Sequence, residues 1–236
     1  MKIDYVMRTH AGRRSRNEDA VLARPEKGLW AVADGMGGHD RGDLASALIM
    51  EALDASAAEG DLQNRSAHAV AAIEAANRQL FEMGRGGDTG RTIGSTVVAL
   101  LTDPSKFVCL WAGDSRGYLA RGGAFLQVTR DHSLVQDLVD AGQITPAQAL
   151  SHPDGHIVTR AAGATARIAV DRREGVFDTG DVLLLATDGL TRVMTDTELG
   201  EAIVAEDLAA TADEMIRTCL VRGAPDNISF VLLRRS

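Results

Sequence analysis

The sequence predicts an α+β sandwich in which helices cover sheets of short strands, and three observations carry that expectation. Short apolar runs such as Leu29–Ala33 (LWAVA), Phe107–Ala112 and Val182–Thr187 have the length and composition of buried strands. Two pairs of segments, Asp43–Ala58 with Ser66–Phe81 and Thr195–Val204 with Asp207–Val221, place apolar residues at helical spacing. The strand-like runs also follow one another through tight turns, as antiparallel neighbours do. No Pro/Ser-rich or charge-rich break divides the 236 residues, so a single domain over 1–236 is expected.

The elements are justified in order. Lys2–Thr9 alternates, with Ile3, Tyr5 and Met7 against Lys2, Asp4 and Arg8, which fits a strand with one face in solvent. A turn, His10–Asp19, carries Arg13, Arg14 and Arg16 beside Glu18 and Asp19, and leads into a strand Ala20–Ala23 stopped near Pro25. Leu29–Ala33 then ends at Asp34, and Gly35, Gly37 and Gly38 allow a tight backbone that displays this aspartate at a sheet edge. After the first helix pair, the glycine-rich stretch Gly84–Gly94 reads as a loop between helices and sheet. Ser95–Leu101, Phe107–Ala112, Gly117–Arg121 and Ala124–Val128 read as a meander of four strands. Ser133–Ala141 and Pro146–Leu150 suggest short helices within an excursion that closes near Gly163. Ile168–Gly175, Val182–Thr187 and Ile228–Leu233 complete the strands.

Composition narrows the function classes. A net charge of −8 and the lack of a basic stripe interleaved with aromatics argue against a nucleic-acid or acidic-membrane partner. No apolar run approaches the ~18 residues of a membrane span. Lys2, Asp4 and Arg8 interrupt the place where a signal peptide would need an apolar core, so a cytoplasmic protein is expected. Cys109 and Cys219 stand alone in apolar surroundings and read as core residues.

The chemistry lies in carboxylates at strand ends. Asp34 follows LWAVA, Asp114 follows FVCLWAG, Asp188 follows VLLLAT, and Asp226 precedes ISFVLL. In an antiparallel pairing the start of one strand lies beside the end of its neighbour, so all four can share one edge. Any one of them alone reads as an ordinary turn or cap residue. Together, crowded carboxylates repel and favour protonation unless a cation sits among them. With no Cys or His at ligand spacing, the donors are oxygens, which select Mg²⁺ or Mn²⁺. Two such ions bridged by a carboxylate suit displacement at phosphorus.

At this point the motifs match a known family. RRSRNED (Arg13–Asp19), ADGMGGH (Ala33–His39), GST (Gly94–Thr96), AGDSRGY (Ala112–Tyr118), TRDHS (Thr129–Ser133), ATDGL (Ala186–Leu190) and APDNIS (Ala224–Ser229) resemble, in order and spacing, the metal-dependent protein phosphatases (PPM, type 2C) in their compact bacterial form. The resemblance implies a four-layer α/β/β/α sandwich of two mainly antiparallel sheets flanked by helix pairs. It also implies hydrolysis of phosphoserine and phosphothreonine in proteins by a hydroxide activated between two Mn²⁺ or Mg²⁺ ions, with no phosphoenzyme. Asp34 would bridge the two metals and the Gly35 carbonyl would ligate one of them. Asp188 and Asp226 would hold the other, while Glu18 and Asp19 would act through waters. Asp114 with Asp188 would make a weaker third-metal site. Arg14 matches the phosphate-binding arginine, whose guanidinium fork suits a phosphate dianion. A histidine two residues after the bridging aspartate is the general acid of many members; here that position is Met36, and His39, three residues further on, is the candidate. Residues 133–160 correspond to the flap beside the metal centre.

The expected partners are phosphorylated proteins, including a cognate serine/threonine kinase and its substrates, and a monomer is favoured. Two rival readings stand beside this one: a binding or regulatory module that keeps the fold without turnover, and a phosphatase of small phosphate esters.

Overall fold

Every residue from Leu29 to Ala33 is buried in the computed structural model, which describes residues 2–37, 41–56, 59–85 and 92–236. A run that is apolar on both faces needs cover on both, and the layers supply it. The run belongs to β3 (Leu29–Gly37), in a sheet with β2 (Asp19–Arg24), β4 (Ile93–Ser95), β5 (Val97–Thr102), β6 (Lys106–Ala112) and β9 (Asp171–Val176). The second sheet holds β1 (Ile3–His10), β7 (Arg116–Arg121), β8 (Ala124–Gln127), β10 (Val182–Ala186) and β11 (Ile228–Arg235). Among the described residues the spatial orders are β2-β3-β5-β6-β9, with β4 beside β3, and β1-β11-β10-β7-β8, all paired antiparallel.

Side chains alternate between the two faces of each strand, so β3 sends Leu29 and Ala31 one way and Trp30 and Val32 the other. Leu29 and Ala31 meet Ile49 and Leu53 of α1 (Gly42–Ala55) and Ile73 and Leu80 of α2 (Leu62–Arg85). Trp30 and Val32 fill the gap between the sheets with Leu183, Leu185 and Val231. The outer face of the second sheet, with Leu184, Phe230 and Leu232, packs on Leu199 of α6 (Asp196–Ala202) and on Met215 and Cys219 of α7 (Leu208–Val221). The result is the α/β/β/α sandwich that the sequence predicts. Cys109 and Cys219 are both buried core residues. No helix among the described residues is long and apolar enough to cross a membrane.

The differences have local causes. The four strands expected as one meander divide between the sheets: β6 pairs with β5 and β9, while β7 pairs with β8 and β10. The chain changes sheet at Gly113, whose φ of 121° belongs to glycine, and a Cβ there would press on Thr96 at 2.5 Å. β3 does not stop at Asp34 but runs on to Gly37, exchanging its partner β5 for β4. In β1 it is Val6 that is buried, while Tyr5 and Met7 are 41% and 43% exposed. Their register partners, Leu233 and Val231, lie in the gap between sheets, but β1 is the edge strand and the cover ends there. The strand expected over Val182–Thr187 ends at Ala186, and one turn of helix, α5 (Asp188–Thr191), follows it. Within Gly84–Gly94, residues 86–91 lie outside the described residues, as do 57–58 at the end of the first expected helix.

Residues 133–160 form α3 (Leu134–Asp140), α4 (Pro146–Ala149) and connecting turns. Ser133 caps α3, and Thr145 and Gln148 make a reciprocal capping box on α4, satisfying amides that short helices leave unpaired. The excursion is closed at its base, where Leu134 N–H donates to Ile157 O at 2.9 Å and Thr159 N–H to His132 O at 2.9 Å.

Candidate metal centre

The two sheets meet at an edge where each delivers carboxylates. From the first sheet, the β2–β3 register sets Asp19 directly opposite Asp34. The Asp34 backbone is pinned: its N–H donates to Thr96 Oγ1 at 3.0 Å, and its carbonyl accepts from Thr96 N–H at 2.9 Å and the Ser95 hydroxyl at 3.0 Å. From the second sheet, Asp188 opens α5 just after β10, and Asp226 lies just before β11. Because β10 and β11 are antiparallel, the end of one lies beside the start of the other. Contact there is close enough that a Cβ on Gly189 would overlap the Asn227 carbonyl oxygen and stand 2.8 Å from its carbon. Asp114 sits where the chain passes from β6 to β7 and is 5% exposed.

Electrostatics shows how closely these groups converge. Asp34 is held well above the ordinary carboxylate range, first by burial and then by Asp188, Asp19, Asp114 and Asp226. Burial pushes Asp19 up to about 7, against hydrogen bonds from Ser229 and Thr187, with Asp188 and Asp226 adding to the rise. Asp114 is likewise pushed up to about 7, by burial and then by Asp188. Burial raises Asp188 as well, opposed by Arg192. Five aspartates thus share one pocket of negative potential, as a cation site requires.

The donors fit a divalent cation. All are oxygens, and Asp188 Oδ1 is buried with no hydrogen-bond partner among the described residues, an acceptor that a positive charge would satisfy. As the side chains stand, no group of three His, Cys, Asp or Glu among the described residues closes on one point. Arginines reach these oxygens instead: Arg14 Nη2 lies 2.9 Å from Asp226 Oδ2, and Arg192 Nε lies 2.8 Å from Asp188 Oδ2.

The remaining sequence candidates fall as follows. Gly35 has no room for a side chain, since a Cβ would overlap the Gly42 carbonyl and stand 2.5 Å from Glu18 O. Glu18 lies against the start of α1, where a Cβ on Gly42 would be 2.6 Å from its carboxyl. Arg14 donates to the Pro225 carbonyl at 3.1 Å as well as to Asp226 Oδ2 at 2.9 Å. His39 lies outside the described residues. His132 is buried, with Nδ1 accepting from Gly113 N–H at 3.0 Å and Nε2 3.2 Å from Asp171 Oδ2, a supporting position beneath the sheet crossing.

Sequence reasoning missed four supporting residues. Asn227 Oδ1 accepts from Glu18 N–H at 2.8 Å while its amide donates to Ala11 O and Arg16 O, tying the arginine turn to Asp226. Thr187 donates to Asp19 Oδ2 at 2.9 Å. Thr96 holds the Asp34 backbone, and Arg192 spans Asp188 and Asp114. Asn227 and Thr187 each adjoin a candidate aspartate and Arg192 stands at i+4 from one, which was the available signal.

The raised carboxylates give a pH dependence. Asp19 and Asp114 rise from an ordinary 3.8 to about 7, so between those values the folded chain holds more protons than the unfolded one. Their contribution to stability is full below about pH 4 and lost as pH rises through about 7. Metal-stripped protein is therefore expected to lose stability from pH 5 to pH 7.5 in urea titrations. Burial holds His132 below its ordinary 6.5, which acts in the opposite sense at the acid end, so the same series in saturating Mn²⁺ isolates the carboxylates. Cations bound nearby favour the ionised form of both carboxylates, and the downward slope should flatten.

Comparison with known proteins identifies the family. The family model for protein phosphatase 2C matches residues 8–232. A serine/threonine protein phosphatase, PstP, of Mycobacterium tuberculosis is 37% identical over 233 residues, covering 97% of this chain, which spans only 44% of that relative's length. A serine/threonine phosphatase, stp, of Listeria welshimeri is 34% identical over 238 residues, covering 97% of this chain and 94% of the relative. Among solved structures, the catalytic domain of PstP in complex with two manganese ions superposes with a TM-score of 0.80 at 35% identity, covering 98% of this chain and 97% of that one. A family match over nearly the whole sequence, on a fold with these carboxylates at its centre, places this chain in the protein phosphatase 2C family.

Proposed function

We propose that residues 1–236 act as one phosphatase domain that hydrolyses phosphoserine and phosphothreonine in proteins, with two divalent cations, Mn²⁺ or Mg²⁺, as cofactor, and opposes a serine/threonine kinase. The observation that carries this reading is Asp188 Oδ1, buried with no hydrogen-bond partner among the described residues and within a group of five aspartates drawn from both sheets. Asp34, whose ionisation the other four oppose, would be shared between the two cations, with the Gly35 carbonyl next in the chain as a further oxygen. Asp188 and Asp226, side by side at the ends of β10 and β11, would hold the second cation. Asp19, opposite Asp34 across the strands, and Glu18, against the start of α1, would act through waters. Cations held there would supply the Lewis-acid charge for in-line attack of water on phosphorus.

The chain's own residues do the rest. Arg14, 59% exposed at the rim, can leave Asp226 for a phosphate dianion, which presents the paired oxygens that a guanidinium fork matches. Neither cysteine can serve as a nucleophile: both are buried, and burial pushes Cys109 up to about 12 and Cys219 up to about 11. For Arg14→Ala, KM for a phosphothreonine peptide is expected to rise roughly tenfold with kcat changed much less, the pattern of a ground-state contact. Steady-state kinetics checks this, and a loss confined to kcat would assign the residue elsewhere.

The deciding assay compares a phosphothreonine peptide, p-nitrophenyl phosphate and small phosphorylated metabolites, in Mn²⁺ and in EDTA. Peptide turnover in Mn²⁺ that EDTA abolishes is expected. Binding of phosphopeptide without turnover would make the chain a recognition module, and preference for metabolites would make it a small-ester phosphatase.

A further inference from the structure

Arg192 touches three parts of the molecule at once. Its Nε is 2.8 Å from Asp188 Oδ2, and its Nη2 lies 3.2 Å from Asp114 Oδ2 and donates to the Gly155 carbonyl at 3.1 Å. The first two partners are carboxylates of the candidate metal centre, and their side chains are 16% and 6% exposed. The third is backbone of the 133–160 excursion, in a turn where Gly155 N–H donates to His152 O at 3.0 Å. A guanidinium is planar, permanently charged and carries donors in several directions, so one group can bind two carboxylates and a carbonyl together. A divalent cation between Asp114 and Asp188 would need the same oxygens, and the tethered charge holds them without loss of translational freedom.

We propose that Arg192 is a positioning residue that serves as a built-in cation at the Asp114–Asp188 pair: it keeps a third divalent ion from that pair and fastens the Gly155 turn beside the metal centre. This rests on the metal-site reading above, from which Asp114 is thereby set apart, its partner being Arg192. A point charge of lysine type, with one nitrogen, would hold the carboxylates but could not also span to Gly155 with the same geometry.

The test uses the whole chain, stripped of metal and titrated with Mn²⁺ by calorimetry, alongside hydrogen exchange of residues 152–158. Wild type is expected to take two ions. Arg192→Gln is expected to take one more, weaker ion, and exchange in 152–158 should quicken at least tenfold. Arg192→Lys should keep the stoichiometry of wild type yet show the faster exchange, and it carries the test if the Gln variant does not fold. A third ion on wild type, or unchanged exchange in the variants, overturns the inference while leaving the two-ion site standing. Wild type that binds no Mn²⁺ at all overturns the site reading itself.

Discussion

Asp34→Asn is expected to abolish turnover while leaving the fold intact, and to make the metal-free protein no less stable than wild type. The substitution keeps size and shape but removes one charge from a pocket where burial and four neighbouring aspartates already oppose ionisation. Repulsion therefore falls in the absence of cations. In Mn²⁺ the ranking is expected to reverse, because the stabilisation that ligand binding would add to the folded state is lost with the proposed ligand. Asp188→Asn should behave similarly, since it alters the side chain with the orphaned oxygen. Loss of phosphopeptide hydrolysis of at least about a thousandfold, equivalent to about 4 kcal/mol of transition-state stabilisation, is the scale expected for either variant. Thermal melts with and without Mn²⁺ provide the second readout. Near-normal activity, or an undiminished Mn²⁺-induced shift in Tm, would show that these carboxylates do not hold the metal.

Gly189→Ala is expected to be nearly as damaging although it changes no charge. The added methyl would overlap the Asn227 carbonyl, and both sides of that contact are backbone, so neither can yield by changing rotamer. Either the Asp226–Asn227 segment moves off or α5 does, and each movement separates Asp188 from Asp226. Mn²⁺ affinity should fall on the order of 10–100-fold, as when the support of a ligand is disturbed. Tm should drop by several degrees if the overlap costs about 2 kcal/mol. Gly200→Ala is the control. It too is crowded, 3.0 Å from Phe125 Cβ, so it can cost stability, but it lies in α6, outside the elements that carry the carboxylates. Its metal affinity should match wild type, as calorimetry would show.

The fold and the candidate site were legible to different depths. Strand runs such as LWAVA and VLLLA declare themselves because burial on both faces leaves no place for polar residues, and the four aspartates stand out because each interrupts or precedes such a run. Helix pairs were readable from spacing, and α2 proved longer than Ser66–Phe81 because its ends, over Leu62–Arg85, carry little periodicity. The passage from β6 to β7 between sheets was not readable, since a tight turn within one sheet and a glycine crossing between two look alike in sequence. The outward Tyr5 and Met7 were equally obscure: whether an apolar face is covered depends on a strand's place in its sheet. Asn227 acts through partners more than two hundred positions away, and Arg192 joins Asp188 at i+4 to partners 78 and 37 positions away, long-range pairings that no local pattern encodes.

The neighbourhood of β1 and β11 bears on when this protein becomes competent. Ile3 stands opposite Arg235, so β1 finds its only hydrogen-bonded neighbour among the described residues in β11. Closing so long a loop is slow, and in a polypeptide emerging from the ribosome N-terminus first β1 stays unpaired until β11 has followed it. β11 also lies between β1 and β10, and Asp226 precedes it by two positions. A nascent chain thus lacks the middle of one sheet and one proposed ligand until synthesis has passed this point, and unfinished copies are expected to be inert.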